Sequence, residues 1–317
     1  MNPPKLEIIV PCYNEELAFS HCLIELETIL NNLISENLVA NTSAIVFVDD
    51  GSADSTWRLI KDASQTSPVV KGLKLSCNRG HQIALIAGLT HSDADIVISI
   101  DADLQDDTSV IKTMVKDYWS GYDVVYGVRN DRLSDSFFKR KTAEGFYGLM
   151  KLMGVKQVPN HADYRLLSRR ALDALLRYKE QNIYIRGLVP LLGFKTKEVF
   201  YARSERVAGE SKYPLRKMVA LAIEGITSLS VTPLRIISLT GLFISFISTI
   251  AAIYAIAEKI AGNTVEGWTS VMIAIFFLGG VQMFSIGIIG EYIGKIYIET
   301  KERPKYFIEE QTGNSNE

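Results

Sequence analysis

The apolar positions of this 317-residue chain fall into two regimes. Up to about Leu229, short apolar runs alternate with charged stretches. Leu6–Val10, Ala44–Val48, Val69–Leu75, Ile96–Ile100 and Asp123–Tyr126 read as buried strands, most of them closed by turn residues. Behind the first, Leu23, Leu26, Leu30 and Leu33 recur at three and four residues, as on one helix face. Further helices are predicted to start near Asp54 or Ser55 and to cover Gln82–Leu89 and Ser109–Trp119. Strands alternating with helices predict an α/β domain whose mostly parallel sheet is covered on both faces.

After Leu229 the pattern changes. Ile236–Ala257 and Trp268–Gly290 carry no charge, and each exceeds the roughly 20 residues a helix needs to cross ~30 Å of hydrocarbon. Two transmembrane helices, 236–257 and 268–290, are the prediction; a pair of buried core helices is the competing one. Just before them, Leu215, Met218, Val219, Ala222, Ile226 and Leu229 share a helical face that Arg216, Lys217 and Glu224 avoid. That pattern suits a helix lying in the membrane interface, or one packed on the soluble domain. The plan is a globular domain over 1–212, an amphipathic region over 213–232, a two-helix hairpin over 233–300 and a tail over 301–317. The tail after Pro304 is polar and is expected to lack regular structure in part.

Charge orients the hairpin. Arg216, Lys217 and Arg235 precede the first span and Lys295, Lys301, Arg303 and Lys305 follow the second, whereas Glu258–Gly267 holds one Lys against two Glu. The excess of basic residues puts both termini and the globular domain in the cytoplasm, and the protein in the cytoplasmic (inner) membrane. Met1–Glu7 is polar and Ile8–Val10 is too short an apolar run for a signal peptide. Cys12, Cys22 and Cys77 have neither metal spacing nor an even count, so reduced thiols are expected. A net charge of −2 gives no reason to expect a nucleic-acid partner. Gly279, Gly280, Gly287 and Gly290 would permit close helix approach and hence a homo-oligomer, with a tetramer as first guess.

The candidate chemistry sits where strands end, the place where open α/β sheets bind ligands. Tyr13, Asn14 and Glu15 follow the first strand, Asp49 and Asp50 the second, and Asp101, Asp103 and Gln105 the fourth. Residues i and i+2 of extended chain point the same way, so Asp101 and Asp103 can share a target. Hard oxygen ligands of this kind suit Mg²⁺ or Mn²⁺ bridging diphosphate oxygens; a solvated turn is the alternative. There is no G-x-G-x-x-G after a strand and no G-x-x-x-x-G-K-[ST], which speaks against dinucleotide enzymes and P-loop ATPases.

Taken together, Val10-Pro11-Cys12-Tyr13-Asn14-Glu15-Glu16, Val48-Asp49-Asp50-Gly51-Ser52 and Asp101-Ala102-Asp103-Leu104-Gln105-Asp106 resemble the large inverting glycosyltransferase family 2. The resemblance continues through Asn78-Arg79-Gly80-His81-Gln82, Ala162-Asp163-Tyr164-Arg165-Leu166 and Arg206-Val207-Ala208-Gly209-Glu210-Ser211-Lys212-Tyr213. That family includes dolichol-phosphate mannose synthases and bactoprenol glucosyltransferases, and the paired C-terminal spans look like the latter branch.

The resemblance implies a GT-A fold, the Rossmann-like sheet of nucleotide-diphospho-sugar transferases. It implies that Pro11, Tyr13, Glu15, Asp49, Asp50, Asn78, Arg79 and Asp101 line the nucleotide site and that Asp101, Asp103 and Gln105 hold the metal and diphosphate. It places Asp163 near the reacting centre, either as a base or as a positioning residue. Arg129, Arg140, Arg206 and Lys212, with Arg203, are cations suited to a lipid phosphate and a departing diphosphate; each could also be an ordinary solvated charge or meet anionic headgroups.

The implied activity is transfer of a hexose, glucose from UDP-glucose first, to undecaprenyl or another polyprenyl phosphate with inversion. A GDP-mannose or amino-sugar donor is the alternative within the family. A processive polysaccharide synthase would need a Q-x-x-R-W context, which Trp57, Trp119 and Trp268 lack. A sugar-nucleotide sensor without activity is the alternative from another class. A flippase is disfavoured by spans that carry no ionisable residue.

Overall fold

The structure is a computed structural model and describes residues 2–130, 161–181, 183–202, 230–261 and 267–313. The described residues divide into two compact units, one of residues up to 202 together with 303–313, the other of residues 230–302.

The first unit is built on an eight-stranded sheet. Its strands are β1 (Leu6–Cys12), β2 (Ala44–Asp49), β3 (Val70–Leu75), β4 (Ile96–Ser99), β5 (Val124–Arg129), β6 (His161–Ser168), β7 (Thr196–Tyr201) and β8 (Ile308–Thr312), in the order β7-β5-β6-β4-β1-β2-β3-β8. Every residue of β1 and β2 is buried, because a central parallel strand needs apolar side chains on both faces. β1 runs through Pro11 to Cys12, two residues beyond the expected end at Val10, with Pro11 paired to Val48.

The crossover helices are α1 (Phe19–Ser35), α2 (Thr56–Thr66), α3 (His81–His91) and α4 (Val110–Trp119). The buried stripe of α1 is Phe19, Cys22, Leu26, Leu30 and Leu33; Cys22 takes the place expected of Leu23, which is only half-buried. Two short helices, α5 (Arg169–Leu176) and α6 (Ile185–Leu188), follow β6.

The sheet is mixed. β6 lies antiparallel between β4 and β5, and β8 lies antiparallel on β3. Neither strand shows the continuous apolar run of a buried parallel strand: β6 carries Asp163 and Arg165, and β8 reads Ile-Glu-Glu-Gln-Thr. The expectation of an irregular tail is thus corrected for Ile308–Thr312. Edge pairing satisfies that segment's backbone, and its acids are held by the wall behind: Trp57 Nε1 donates to Glu310 at 2.9 Å, Lys61 pairs with Glu310 and Lys74 with Glu309 at 3.0 Å. Gly72 of β3 makes room for this, since a Cβ there would lie 2.7 Å from both Ile60 Cγ2 and Thr312 Oγ1.

α3 approaches the sheet equally closely. A Cβ on Gly88 would lie 2.8 Å from Val48 Cγ2 and nearer still to Ile9 Cγ2, both stiff β-branched side chains. Gly88→Ala is therefore expected to destabilise this unit by about 1–3 kcal/mol through overpacking, read as a lowered denaturation midpoint. An unchanged midpoint would mean that α3 can move off the sheet freely.

The second unit contains α7 (Thr232–Ile260) and α8 (Trp268–Thr300), of 29 and 33 residues. Both are long and apolar enough to cross a membrane, and none of either apolar window is buried inside the protein. Phe243, Phe246, Met283 and Phe284 all stand exposed, which rules against core helices of a soluble fold. α8 continues past the expected end at Gly290, and Tyr292 donates to the Ser230 carbonyl at 2.6 Å, fixing it to the start of α7. The amphipathic region expected over 213–232 lies outside the described residues except at its last three positions.

Candidate active site

The loops after β1 and β2 are laced together. Asn14, in the left-handed region at φ 55°, accepts from Ala53 N at 2.8 Å, and its own N–H donates to Ser52 Oγ at 2.9 Å. Glu15 N donates to Thr56 Oγ1 and Glu16 N to Asp54, while Ser55 N returns a bond to Glu16. Gly51, at φ 66°, lets this double turn lie against the backbone of Cys77 and Asn78. Tyr13 stands exposed at the rim, beside a half-buried Glu15.

Asp49 and Asp50 were expected to meet the nucleotide base. Both are buried, and their carboxylates serve the turns: Asp49 accepts from Ser52 N, and Asp50 accepts from Arg79 N at 2.7 Å and Gly80 N at 2.8 Å. Burial raises the Asp50 carboxyl above its ordinary value, against the pull of those two amides. Asp50 thus shapes the segment that leads into α3, leaving Asn78 and Arg79 exposed on it.

At the N-terminus of α3, Gly80 at φ 92° turns the chain so that His81 and Gln82 enter the site. His81 Nε2 meets Asp101 Oδ1 at 2.9 Å and its Nδ1 lies 3.8 Å from Asp163 Oδ2. Gln82 donates to Asp163 at 3.1 Å and accepts from Ile185 N at 3.2 Å. Burial alone would lower the His81 pKa, but its hydrogen bond to Asp101 and the charges of Asp101 and Asp163 raise it above 6.5.

Asp163 reaches this place because β6 runs against β4. With Ser99 opposite Arg165, the beginning of β6 lies at the end of β4, where Asp101 sits. Asp163 is buried and receives Arg165 Nη2 at 2.5 Å on one oxygen; Arg186 adds a fork, Nε to Oδ1 at 3.2 Å and Nη2 to Oδ2 at 3.0 Å. Burial would raise its pKa, but the two guanidiniums hold it well below the usual carboxylate range. A carboxylate so stabilised is a poor proton acceptor near neutral pH.

Asp101 and Asp103 are partly open, with Leu104 in the left-handed region between Asp103 and a buried Gln105, whose N–H donates to Asp103 at 3.3 Å. Among the described residues no three His, Cys, Asp or Glu side chains converge at metal-ligand spacing. Two carboxylates without a third still suit Mg²⁺ or Mn²⁺ held partly by substrate phosphates, the usual mode for such hard ions at phosphate sites.

Arg129, at the end of β5, is not a bare cation. It meets Asp106 through Nε at 2.8 Å and Nη2 at 2.7 Å, and Tyr201 donates to the same oxygen at 2.6 Å. This triad anchors the loop that carries Asp101 and Asp103. Arg140, Arg203, Arg206 and Lys212 lie outside the described residues.

Arg186, Asp106 and Tyr201 were not foreseen. Arg186 lies 23 residues beyond Asp163 with no motif around it, and only the fold brings the two together. His81 and Gln82 stood inside a quoted motif without a role.

The Glycosyl transferase family 2 model matches residues 7–176, over half the chain, so the chain belongs to that family and is a glycosyltransferase. A second model, the GtrB C-terminal hairpin, matches residues 232–296, the stretch that forms α7 and α8. The glycosyltransferase YkoT of Bacillus subtilis (strain 168) is 53% identical over 96% of this chain and 91% of its own. The bactoprenol glucosyl transferase of Shigella phage SfX is 41% identical over 96% of this chain and 98% of its own. The prophage bactoprenol glucosyl transferase homolog of Escherichia coli (strain K12) matches to the same extent. Among solved structures, the mannosyltransferase PcManGT of Pyrobaculum calidifontis is 16% identical with a TM-score of 0.45, covering 92% of this chain and 87% of that one.

Proposed function

We propose that this protein transfers glucose from UDP-glucose to a polyprenyl phosphate, with undecaprenyl phosphate as the first candidate, at the cytoplasmic face of the membrane. The observation that carries the lipid acceptor is the joint presence of a family 2 domain and the hairpin in one chain, with bactoprenol glucosyl transferases matching along nearly its full length. Both termini on the cytoplasmic side follow from the basic residues flanking the spans.

The reaction is a single displacement. An oxygen of the lipid phosphate forms a bond to the anomeric carbon as the bond from that carbon to the nucleoside diphosphate breaks, and the electron pair leaves with the diphosphate. Attack opposite the leaving group inverts the anomeric centre. A phosphate monoester has its second pKa near 6, so the attacking oxygen is already anionic at pH 7 and no side chain has to remove a proton. Asp163 then serves as the hub that fixes Gln82, Arg165 and Arg186, in keeping with its depressed pKa. Asp101 and Asp103 would hold Mg²⁺ or Mn²⁺, which supplies positive charge for the departing diphosphate. Tyr13, Glu15, Asn78 and Arg79 are the residues that would meet the donor nucleotide in this reading.

The test uses the full chain purified in detergent with undecaprenyl phosphate, Mg²⁺ and radiolabelled UDP-glucose or GDP-mannose in parallel. Label is expected in the organic phase from UDP-glucose. Label from GDP-mannose alone would make it a mannosyltransferase, and binding without transfer from any sugar nucleotide would favour a sensor.

A further inference from the structure

Asp163 carries two cations where one would balance it. Arg165 is almost fully buried and already neutralises the carboxylate at 2.5 Å. Arg186 is different: its side chain is 40% exposed, and it comes from a separate segment to add a second positive charge. Burial there works against the charge of Arg186, and Asp163 first, then Asp101, keep the guanidinium charged while part of its surface stays open. Its surroundings include both His81 and Asp101 as charged neighbours.

Geometry gives that cation a direction. A guanidinium has five N–H donors in a rigid fork. Asp163 occupies the Nε and Nη2 edge of Arg186 and so fixes its plane. The Nη1 edge lies in that same plane. Gln82 holds the backbone of Ile185, the preceding residue, through its Oε1 at 3.2 Å. Side chain and main chain are therefore positioned by one pair of residues, Asp163 and Gln82, which themselves border the Asp101 carboxylate through His81. Such fixation is what a phosphate-reading arginine requires, since bidentate recognition depends on the orientation of the fork.

We propose that Arg186 is a catalytic cation that binds a phosphate oxygen in the reaction centre, with Asp163 as its positioning residue. The proposal rests on the glucosyl transfer proposed above. The phosphate belongs either to the departing nucleoside diphosphate or to the attacking lipid phosphate, and both present the same anionic oxygens. Arg129 is held by the same Nε and Nη2 edge on Asp106, but Arg186 is the one whose carboxylate, Asp163, also meets His81 beside Asp101.

The experiment compares the full chain with Arg186→Gln and Arg186→Lys in detergent. It measures initial rates with UDP-glucose and undecaprenyl phosphate varied in turn, equilibrium binding of UDP and of undecaprenyl phosphate, and thermal midpoints. Arg186→Gln is expected to lower kcat/KM by roughly 10–100-fold, the loss of one hydrogen bond to a charged group, with an unchanged midpoint. Arg186→Lys should recover part of the rate by keeping the charge without the fork. A matching loss of UDP affinity assigns the diphosphate; a loss confined to undecaprenyl phosphate assigns the acceptor.

Rates and both affinities within twofold of wild type would overturn the proposal. So would a lowered midpoint with equal damage in both variants, which would make Arg186 part of the scaffold. If the wild type fails to glucosylate the lipid, the functional reading falls while the two binding measurements still decide Arg186.

Discussion

Replacing Asp163 with alanine is expected to lower transfer by about 10²-fold or more and to destabilise the globular domain by about 3–5 kcal/mol. The stability loss follows from leaving Arg165 buried without its anion, which costs far more than the ion pair itself contributes. The activity loss follows from misplacing Arg186 and Gln82, since an error near 1 Å in such groups costs on the order of 10²-fold. Asp163→Asn separates the effects, because it keeps the volume and part of the hydrogen bonding while removing the charge. Chemical denaturation and initial rates on the two variants would measure both.

The pH dependence carries a sign. The folded-state pKa of Asp163 is depressed, so its contribution to stability is fully present above the unfolded value near 3.9 and fades as pH falls through the lower folded value. Wild type should therefore lose stability more steeply than Asp163→Asn as pH drops below about 4. Between pH 5 and 8, Asp163 should add no acid limb to the kcat/KM profile. An acid limb in that range that disappears in Asp163→Asn would restore the general-base role.

Asp101→Ala and Asp103→Ala are each expected to reduce kcat by roughly 10²–10³-fold, the scale of losing one charge-stabilising group at a reacting centre. The two are not equivalent. Asp103 is partly exposed, and its loss should leave stability within about 0.5 kcal/mol. Asp101 also holds His81, so its loss frees the imidazole and removes the hydrogen bond and charge that hold its pKa up against burial. Titrating Mg²⁺ or Mn²⁺ against both variants should recover part of the activity of Asp103→Ala, and EDTA should silence the wild type. Full wild-type activity in EDTA would remove the metal from these aspartates.

Several features were readable without coordinates because they depend on local pattern. The apolar runs of β1 to β5 and the stripe of α1 announce themselves at spacings of one to four residues. The two spans follow from length and lack of charge alone. Asp101 and Asp103, i and i+2 at a strand end, needed no more than the alternation of extended chain.

What the pattern left out was long-range. Asp49 and Asp50 look like ligand groups in sequence, and the structure adds that their carboxylates also hold Ser52, Arg79 and Gly80, contacts that spacing does not reveal. Arg129 looks like a free cation, yet Asp106 and Tyr201 come from distant positions to claim it or its partner.

The sequence by itself determined an α/β domain with acids at its strand ends and a pair of membrane-length helices, since period, length and charge are local properties. Only the tertiary structure decided that β6 reverses direction, that Asp163 thereby faces Asp101 across His81, and that Arg186 joins them. It also decided that the tail closes the edge of the sheet as β8. The physical reason is common to all four. A polar residue's role depends on which distant partner balances its charge or backbone after burial, and no local periodicity encodes that choice.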